Sequence, residues 1–479
     1  MGPAGQNGSV TPDSSYLGGA WGGSGPRLAV VNPADGSTAA EVATVTPTEV
    51  AETLDAAAGA LQSWRDTDPW ARSQHLRDAA AYIRDHLPDI AASVTAEQGK
   101  PLAQAEGEVA GAADQFDWCA DEARRIYGRV IPARGAGRRL LVQREPVGVV
   151  GAFAPSNFPA LLPARKIAAA TAAGCTIIVK PAEETPTAAL WLAAAAEAAG
   201  IPAGVVNVLV GDPAMISEMI LSDSRVRKVT LTGSVPLGSH IMEEASKQLK
   251  SVSLELGGHS PVIVLDDADP EWAGEVSARG KFRNAGQVCI SPSRFLVPAA
   301  LHDRFVASFV AATEALAMGP GDDPSCDIGP LQNERRLQAM EQLVASAVSD
   351  GAVVESGGRR IERDAGWWFE PTVLSNVDLG TEIMVAEPFG PIAPIRAYDD
   401  LDDAVRIAND TDFGLAGFVQ RCLDVADRLE VGMVGINDFA IALAEAPFGG
   451  IKHSGFGREG GAEGVAEFTV VKYINVAPA

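Results

Sequence analysis

Five short apolar runs between residues 147 and 256 alternate with alanine-rich stretches of helical length, and this alternation constrains the fold more than any other feature. The runs are VGVVGAF (147–153), TIIVK (176–180), VVNVLV (205–210), KVTLTG (228–233) and VSLEL (252–256). Parallel neighbours in a sheet need a crossover of about a dozen residues or more, normally a helix. Near-continuous apolar strands are covered on both faces. The fold class predicted is therefore α/β, with a doubly wound parallel sheet. Ligands of such sheets sit beyond the carboxyl ends of the strands. Those ends carry Asn157, Lys180, Gly233, Ser234 and Glu255.

On either side the pattern changes. Residues 1–26 are rich in Gly, Ser and Pro and read as a mobile tail. Apolar residues at helical spacing over 50–65 and 70–95 predict a helical preface. A second α/β region follows over about 259–445, with strand-like runs RFLVP (294–298) and IAPIRAY (392–398). Near its start, KFRNAGQVC (281–289) places Cys289 after a polar, Gly-containing turn. A site assembled from both regions would lie in the cleft between two domains, where small molecules commonly bind.

The charge balance narrows the partners. With 38 Lys and Arg against 62 Asp and Glu, the net charge of −24 repels nucleic acid and anionic lipid. No apolar run approaches the roughly 20 residues of a membrane span. Five cysteines at 119, 175, 289, 326 and 422 show no C-x-x-C spacing. A reducing compartment, the cytoplasm, is expected. The six histidines show no ligand spacing, and no metal is assigned.

Each candidate residue has an ordinary alternative. A cysteine is usually a small core hydrophobe; Cys289 differs from the other four in its flanking Asn284, Gly286 and Gln287, which would expose its sulfur. Glu255 ends an apolar strand, where a carboxylate either forms a salt bridge or, partly desolvated, acts as a general base. The adjacent Gly257 and Gly258 let the backbone approach something closely. Asn157 caps a helix or offers its amide to an oxyanion. Gly233 and Ser234 lie between a strand and a helix start, where free N–H groups face a phosphate or Ser merely caps. The G-x-G-x-x-G match GFGREG (455–460) follows no strand of a βαβ unit and is set aside.

Taken together, REPVGVVGAFAPSNFP, AGCTIIVKPAEETP, VTLTGSVPLG, LELGGHSP, FRNAGQVC, EPFGP (387–391) and PFGGIKHSG (447–455) resemble the aldehyde dehydrogenase superfamily, in its order and approximate spacing. The resemblance runs from NPADG (32–36) to the C-terminus. It implies an NAD-binding domain over 27–123 and 147–258, a catalytic domain over 259–446, and an oligomerisation element over 124–146 and 465–479, usually in homodimers or homotetramers. It further implies that Cys289 attacks an aldehyde, Asn157 and the Cys289 N–H hold the oxyanion, and Glu255 activates water to hydrolyse the thioester. By matching position, Lys180 and Glu183 meet the adenine ribose, Ser234 the pyrophosphate and Glu387 the nicotinamide ribose, with Phe389 near the ring. A carboxylate at Glu183 predicts NAD over NADP, because it accepts from a 2′-hydroxyl and repels a 2′-phosphate.

Within the superfamily the chain is most similar to NAD-dependent succinate-semialdehyde dehydrogenases, which carry counterparts of Arg165-Lys166 and of Arg283. The resemblance places Arg165 and Arg283 at the substrate tunnel, so the expected substrate is succinic semialdehyde. Three departures stand against that: Ser156 replaces an aromatic residue, Ala442 replaces a carboxylate-binding serine, and Ser291 replaces the second cysteine of a C-x-C pair. An aromatic or longer aliphatic aldehyde is the alternative. A nucleotide-independent cysteine hydrolase or acyltransferase is the alternative from another class, and it would need an imidazole beside the thiol.

Overall fold

The computed structural model describes residues 11–134, 137–420 and 423–477. Residues 1–10 of the expected tail, 135–136 and 478–479 of the expected oligomerisation element, and Cys422 lie outside the described residues.

All five predicted runs are strands: Val149–Phe153, Thr176–Lys180, Val206–Val208, Val226–Thr232 and Ser251–Glu255. Their pairing is parallel throughout. The chain enters at Val149–Phe153, winds outward through the next two strands, then crosses to Val226–Thr232 on the other side. The winding direction therefore reverses between Val149–Phe153 and Val226–Thr232, and a crevice opens at that point. Between strands, Leu161–Ala173 is buried almost entirely, because its alanines pack against sheet and helix alike. Burying each large apolar side chain of this core contributes roughly 1.5–3 kcal/mol.

The sheet's two outer edges were not legible from composition. The expected tail ends early: Ser15–Leu17 and Ala20–Gly22 form a hairpin that pairs antiparallel with Val206–Val208. Two rings outweigh the flexible composition here. Tyr16 is buried with its ring centroid 4.8 Å from that of Trp21, and Trp21 Nε1 donates to Glu197 at 2.8 Å. Gly18 and Gly19 supply the positive φ angles of the turn. At the opposite edge Gly455–Phe456, inside the discarded glycine motif, pairs antiparallel with Ser251–Glu255.

The helical preface comprises Pro47–Asp66, Pro69–Asp85 and Leu87–Gln98. Thr46 and Glu49 cap the first reciprocally. The run over 70–95 divides at His86, because Pro88 has no N–H to continue the ladder. A further helix, Leu102–Ala123, packs on Leu161–Ala173.

The second region builds a seven-stranded sheet in which Ser260–Ile263, Pro292–Pro298 and Ile392–Tyr398 are parallel neighbours. Arg129–Ile131, Arg139–Pro146 and Thr469–Val476 form a separate antiparallel three-stranded sheet, uniting the two sequence-distant segments expected to act together. Val130, Val471 and Tyr473 are exposed on it. Among the described residues no helix is long and apolar enough to cross a membrane.

Candidate active site

Cys289 stands on a turn that only a dense hydrogen-bond network can hold. Asn284 and Ala285 both have left-handed φ, 51° and 52°, a conformation costly for residues with a Cβ. Asn284 N donates to Gln104 Oε1 at 2.9 Å, and Asn284 Nδ2 to Asn157 O at 3.1 Å and Gln287 O at 3.2 Å. Gln287 Oε1 in turn accepts from Gln332 N at 3.0 Å. Gly286, also left-handed, lies against Gly390, where any side chain would strike the carbonyl.

The structure converges the three expected catalytic residues on this turn. Asn157 follows the first parallel strand, is buried, and donates through Nδ2 to Gln287 O at 3.0 Å. That bond uses one amide hydrogen and leaves the second. Glu255, at the end of its strand, is only 3% exposed, and neither carboxylate oxygen has a partner among the described residues. The two glycines after it do what their position suggested. Gly257 gives room to the Glu387 carboxylate, and a Cβ at Gly258 would lie 2.5 Å from the Cys289 carbonyl. Gly258 N donates to Glu387 Oε1 at 3.1 Å.

Electrostatics separates the roles. Burial pushes the Cys289 thiol up to about 12; the carboxylates of Glu387 and Glu255 add to this and Arg165 opposes it. The resting nucleophile is thus protonated at neutral pH. Burial, and then the neighbouring Glu459 carboxylate, hold Glu255 well above the usual carboxylate range, against Lys166, Arg165 and Arg458. A carboxylate so raised is a competent proton acceptor near neutrality. The Glu387 carboxyl is raised to about 7, by burial first.

Lys180, Gly233 and Ser234, expected to meet a dinucleotide, stand at the carboxyl ends of the parallel strands. Ser234 is the N-cap of Val235–Ser246 but its side chain makes no capping bond, so the helix N-terminus presents free N–H groups to an anion. Gly233 N donates to Glu255 O at 3.0 Å, linking this terminus to the catalytic strand. Lys180 is buried, with its ammonium lowered to about 8 by desolvation. It is ion-paired to Glu183. Phe389 has a φ of 43° and its carbonyl accepts from Arg336 at 2.9 Å.

The two arginines separate. Arg283 lines a cavity of about 550 Å³ together with Lys100, Glu108, Phe158, Ala442 and Leu443. Its guanidinium lies 5.4 Å from the Phe158 ring centroid. Arg165 does not line that cavity. It is buried over the Phe448 ring at 4.4 Å and lies 3.9 Å from Glu459, with Nε and Nη2 unpartnered among the described residues.

Several buried charges were missed by sequence reasoning. Lys166 Nζ donates to Glu459 at 2.5 Å and to Thr232 at 2.8 Å beneath Glu255; Glu459 lies inside the GFGREG segment, whose charge pair was the available signal. Lys100 and Glu108 form a pair at 2.5 Å, each side chain 1% exposed. Lys281 is fully buried, lowered to about 7 by desolvation, and donates to Ser291 Oγ at 3.3 Å. His259 is the histidine next to Gly258, but its Nδ1 is joined to Ser293 Oγ at 2.8 Å and burial keeps it neutral. Cys119, Cys175, Cys289 and Cys326 are unpaired.

A sequence model described as the aldehyde dehydrogenase family matches residues 21–474. Among curated relatives, the probable succinate-semialdehyde dehydrogenase (NADP(+)) of Sinorhizobium fredii is 43% identical over 94% of this chain and 93% of its own. The succinate-semialdehyde dehydrogenase (NADP(+)) of Escherichia coli is 42% identical over 94% of each. A crystal structure titled an Escherichia coli NADP-dependent enzyme superposes with a TM-score of 0.96 at 41% identity over 98% of both chains. These names correct the expected preference for NAD over NADP. Glu183, the carboxylate on which that expectation rested, is ion-paired with Lys180.

Proposed function

Because this chain belongs to the aldehyde dehydrogenase family and is an oxidoreductase acting on aldehydes, we propose that it oxidises a short aldehyde bearing a distal carboxylate, succinic semialdehyde first, with NADP as acceptor. The observation that carries the reading is the convergence of Cys289, Glu255 and Asn157 at one turn, with Arg283 in the adjoining cavity. The Cys289 thiol gives up its proton to water as its sulfur adds to the aldehyde carbon. Asn157's remaining amide hydrogen and the Cys289 N–H hold the oxygen as it gains charge. The nicotinamide supplies a hydride acceptor. Glu255 takes a proton from water that attacks the resulting thioester, and the acid leaves with Cys289 restored.

NADP use rests on the names of the relatives. Comparing kcat/KM for the two dinucleotides checks it: NADP is expected to be the better, and parity or an NAD preference would refute it.

A carboxylate receives a bidentate contact from Arg283. The volume of about 550 Å³, with Ala442 on its wall, supports one other reading, a longer aliphatic or aromatic aldehyde. A panel of C3–C5 semialdehydes, hexanal and benzaldehyde measured with NADP separates the two: an acidic substrate with the highest kcat/KM supports the first, a neutral one the second. The three-stranded sheet with exposed Val471 and Tyr473 is proposed as the oligomerisation surface, in a dimer or tetramer.

A further inference from the structure

The buried pair Lys100–Glu108 touches neither Cys289 nor Glu255, yet both partners end on the backbone that carries Asn157. Lys100 Nζ donates to Asn157 O at 2.8 Å and sits 4.0 Å over the Phe158 ring. Glu108 holds the same ammonium with Oε2 at 2.5 Å. Its other oxygen accepts from Ala160 N at 2.8 Å and Leu161 N at 3.2 Å. Leu161–Ala173 has no side-chain cap of its own, since its N-cap is Ala160. Glu108 therefore caps that helix from a different helix, Leu102–Ala123.

The loop between the first strand and this helix is thus gripped at Asn157 and at its helical end by one ion pair. Its middle is gripped from the nucleophile's turn, through Asn284 Nδ2 to the same Asn157 carbonyl. With the Asn157 carbonyl fixed from two sides, its side-chain amide is directed at Gln287 in the Cys289 turn. Two fully desolvated charges are costly relative to apolar side chains of the same shape. Apolar residues would fill the volume but could not donate to Asn157 O or accept from Ala160 and Leu161.

We propose that Lys100 and Glu108 are positioning residues of the oxyanion site, setting the Asn157 amide against the carbonyl oxygen of the aldehyde bound at Cys289. The inference rests on the reading of Asn157 as oxyanion donor. A loop free to shift would move the Asn157 amide, and with Phe158 one wall of the Arg283 cavity, and weaken most the step in which negative charge develops on oxygen.

The test is a coupling experiment on the full chain with NADP. Lys100→Met/Glu108→Gln removes both charges together, so neither is left unpaired. The expected result is a fall of about 10–100-fold in the pre-steady-state rate of NADPH formation at saturating aldehyde, with KM for NADP within about 3-fold of the parent; removing an oxyanion donor outright costs roughly 10²–10³. Alkylation of Cys289 by iodoacetamide should proceed at the parental rate. In an Asn157→Ala background the same double change should produce no further loss, because its effect passes through the missing amide. Multiplicative losses, or equal losses in alkylation and NADP binding, would overturn the inference. Parental turnover in Asn157→Ala alone would overturn the oxyanion reading and the inference with it. If the double variant does not accumulate as folded protein, Glu108→Gln alone carries the same comparison, since its amide oxygen still accepts from one N–H while the bond to Lys100 weakens.

Discussion

At the residue scale the site separates a proton-bearing nucleophile, Cys289, from a buried carboxylate, Glu255, with no hydrogen-bond partner among the described residues. Acylation by Cys289 and deacylation through Glu255 predict two different failures. Cys289→Ala should abolish dehydrogenase turnover. Glu255→Gln should give a stoichiometric burst of reduced cofactor followed by very slow turnover, and normal steady-state turnover in that variant would remove the assignment. The raised Glu255 also fixes a pH dependence. A general base works when deprotonated, so kcat should fall as pH drops through a midpoint above the usual carboxylate range. Glu459→Gln removes a carboxylate that holds Glu255 up, and should move that midpoint downward; an unmoved midpoint in the pH–kcat profile would show that another group titrates.

At the element scale, Arg283 opens the turn that leads to Cys289 and lines the cavity proposed to take the far end of the aldehyde. If Arg283 binds a distal carboxylate, Arg283→Ala should lower kcat/KM for succinic semialdehyde by about 1.5–3 kcal/mol, the range for a hydrogen bond to a charged group, and spare an uncharged aldehyde of similar length. Equal losses on both substrates would mean the arginine acts on the turn instead. The three-stranded sheet yields a separate prediction. Its strand Thr469–Val476 has an unpaired edge and exposed apolar side chains, a surface that invites a second chain. Val471→Glu/Tyr473→Glu should lower the mass measured by light scattering, and a parental mass would move the interface elsewhere.

At the scale of the whole molecule, the buried Glu97 carboxyl sets a stability dependence that runs opposite to most carboxylates. Desolvation raises it to about 8, while Thr187 donates to it through N and Oγ1. Below about pH 4.5 both folded and unfolded chains hold the proton and nothing is lost. Between 4.5 and 8 the folded state keeps a proton that the unfolded chain releases, so stability falls with rising pH, by up to about 1.4 kcal/mol per unit. Above 8 the loss is complete. Glu97→Gln should therefore be close to the parent in Tm at pH 5 and more stable at pH 8.5. A difference that does not grow with pH would mean that Glu97 is ionised in the folded protein.

The sequence by itself determined what local patterning can encode. Five apolar runs predicted the parallel sheet, because strand length and crossover length leave few topologies. The flanks of Cys289 and the position of Glu255 marked the chemistry, because a polar turn and a carboxylate ending an apolar strand are locally anomalous. Only the tertiary structure decided which charges lie together. Glu459 reaches Lys166 across 293 residues, and Glu108 caps a helix beginning 53 residues away. It also set Tyr16 and Trp21 into a sheet edge. Periodicity records which face of an element is buried, but the partner of a buried charge is chosen by the packing of distant segments, and no local pattern carries that choice.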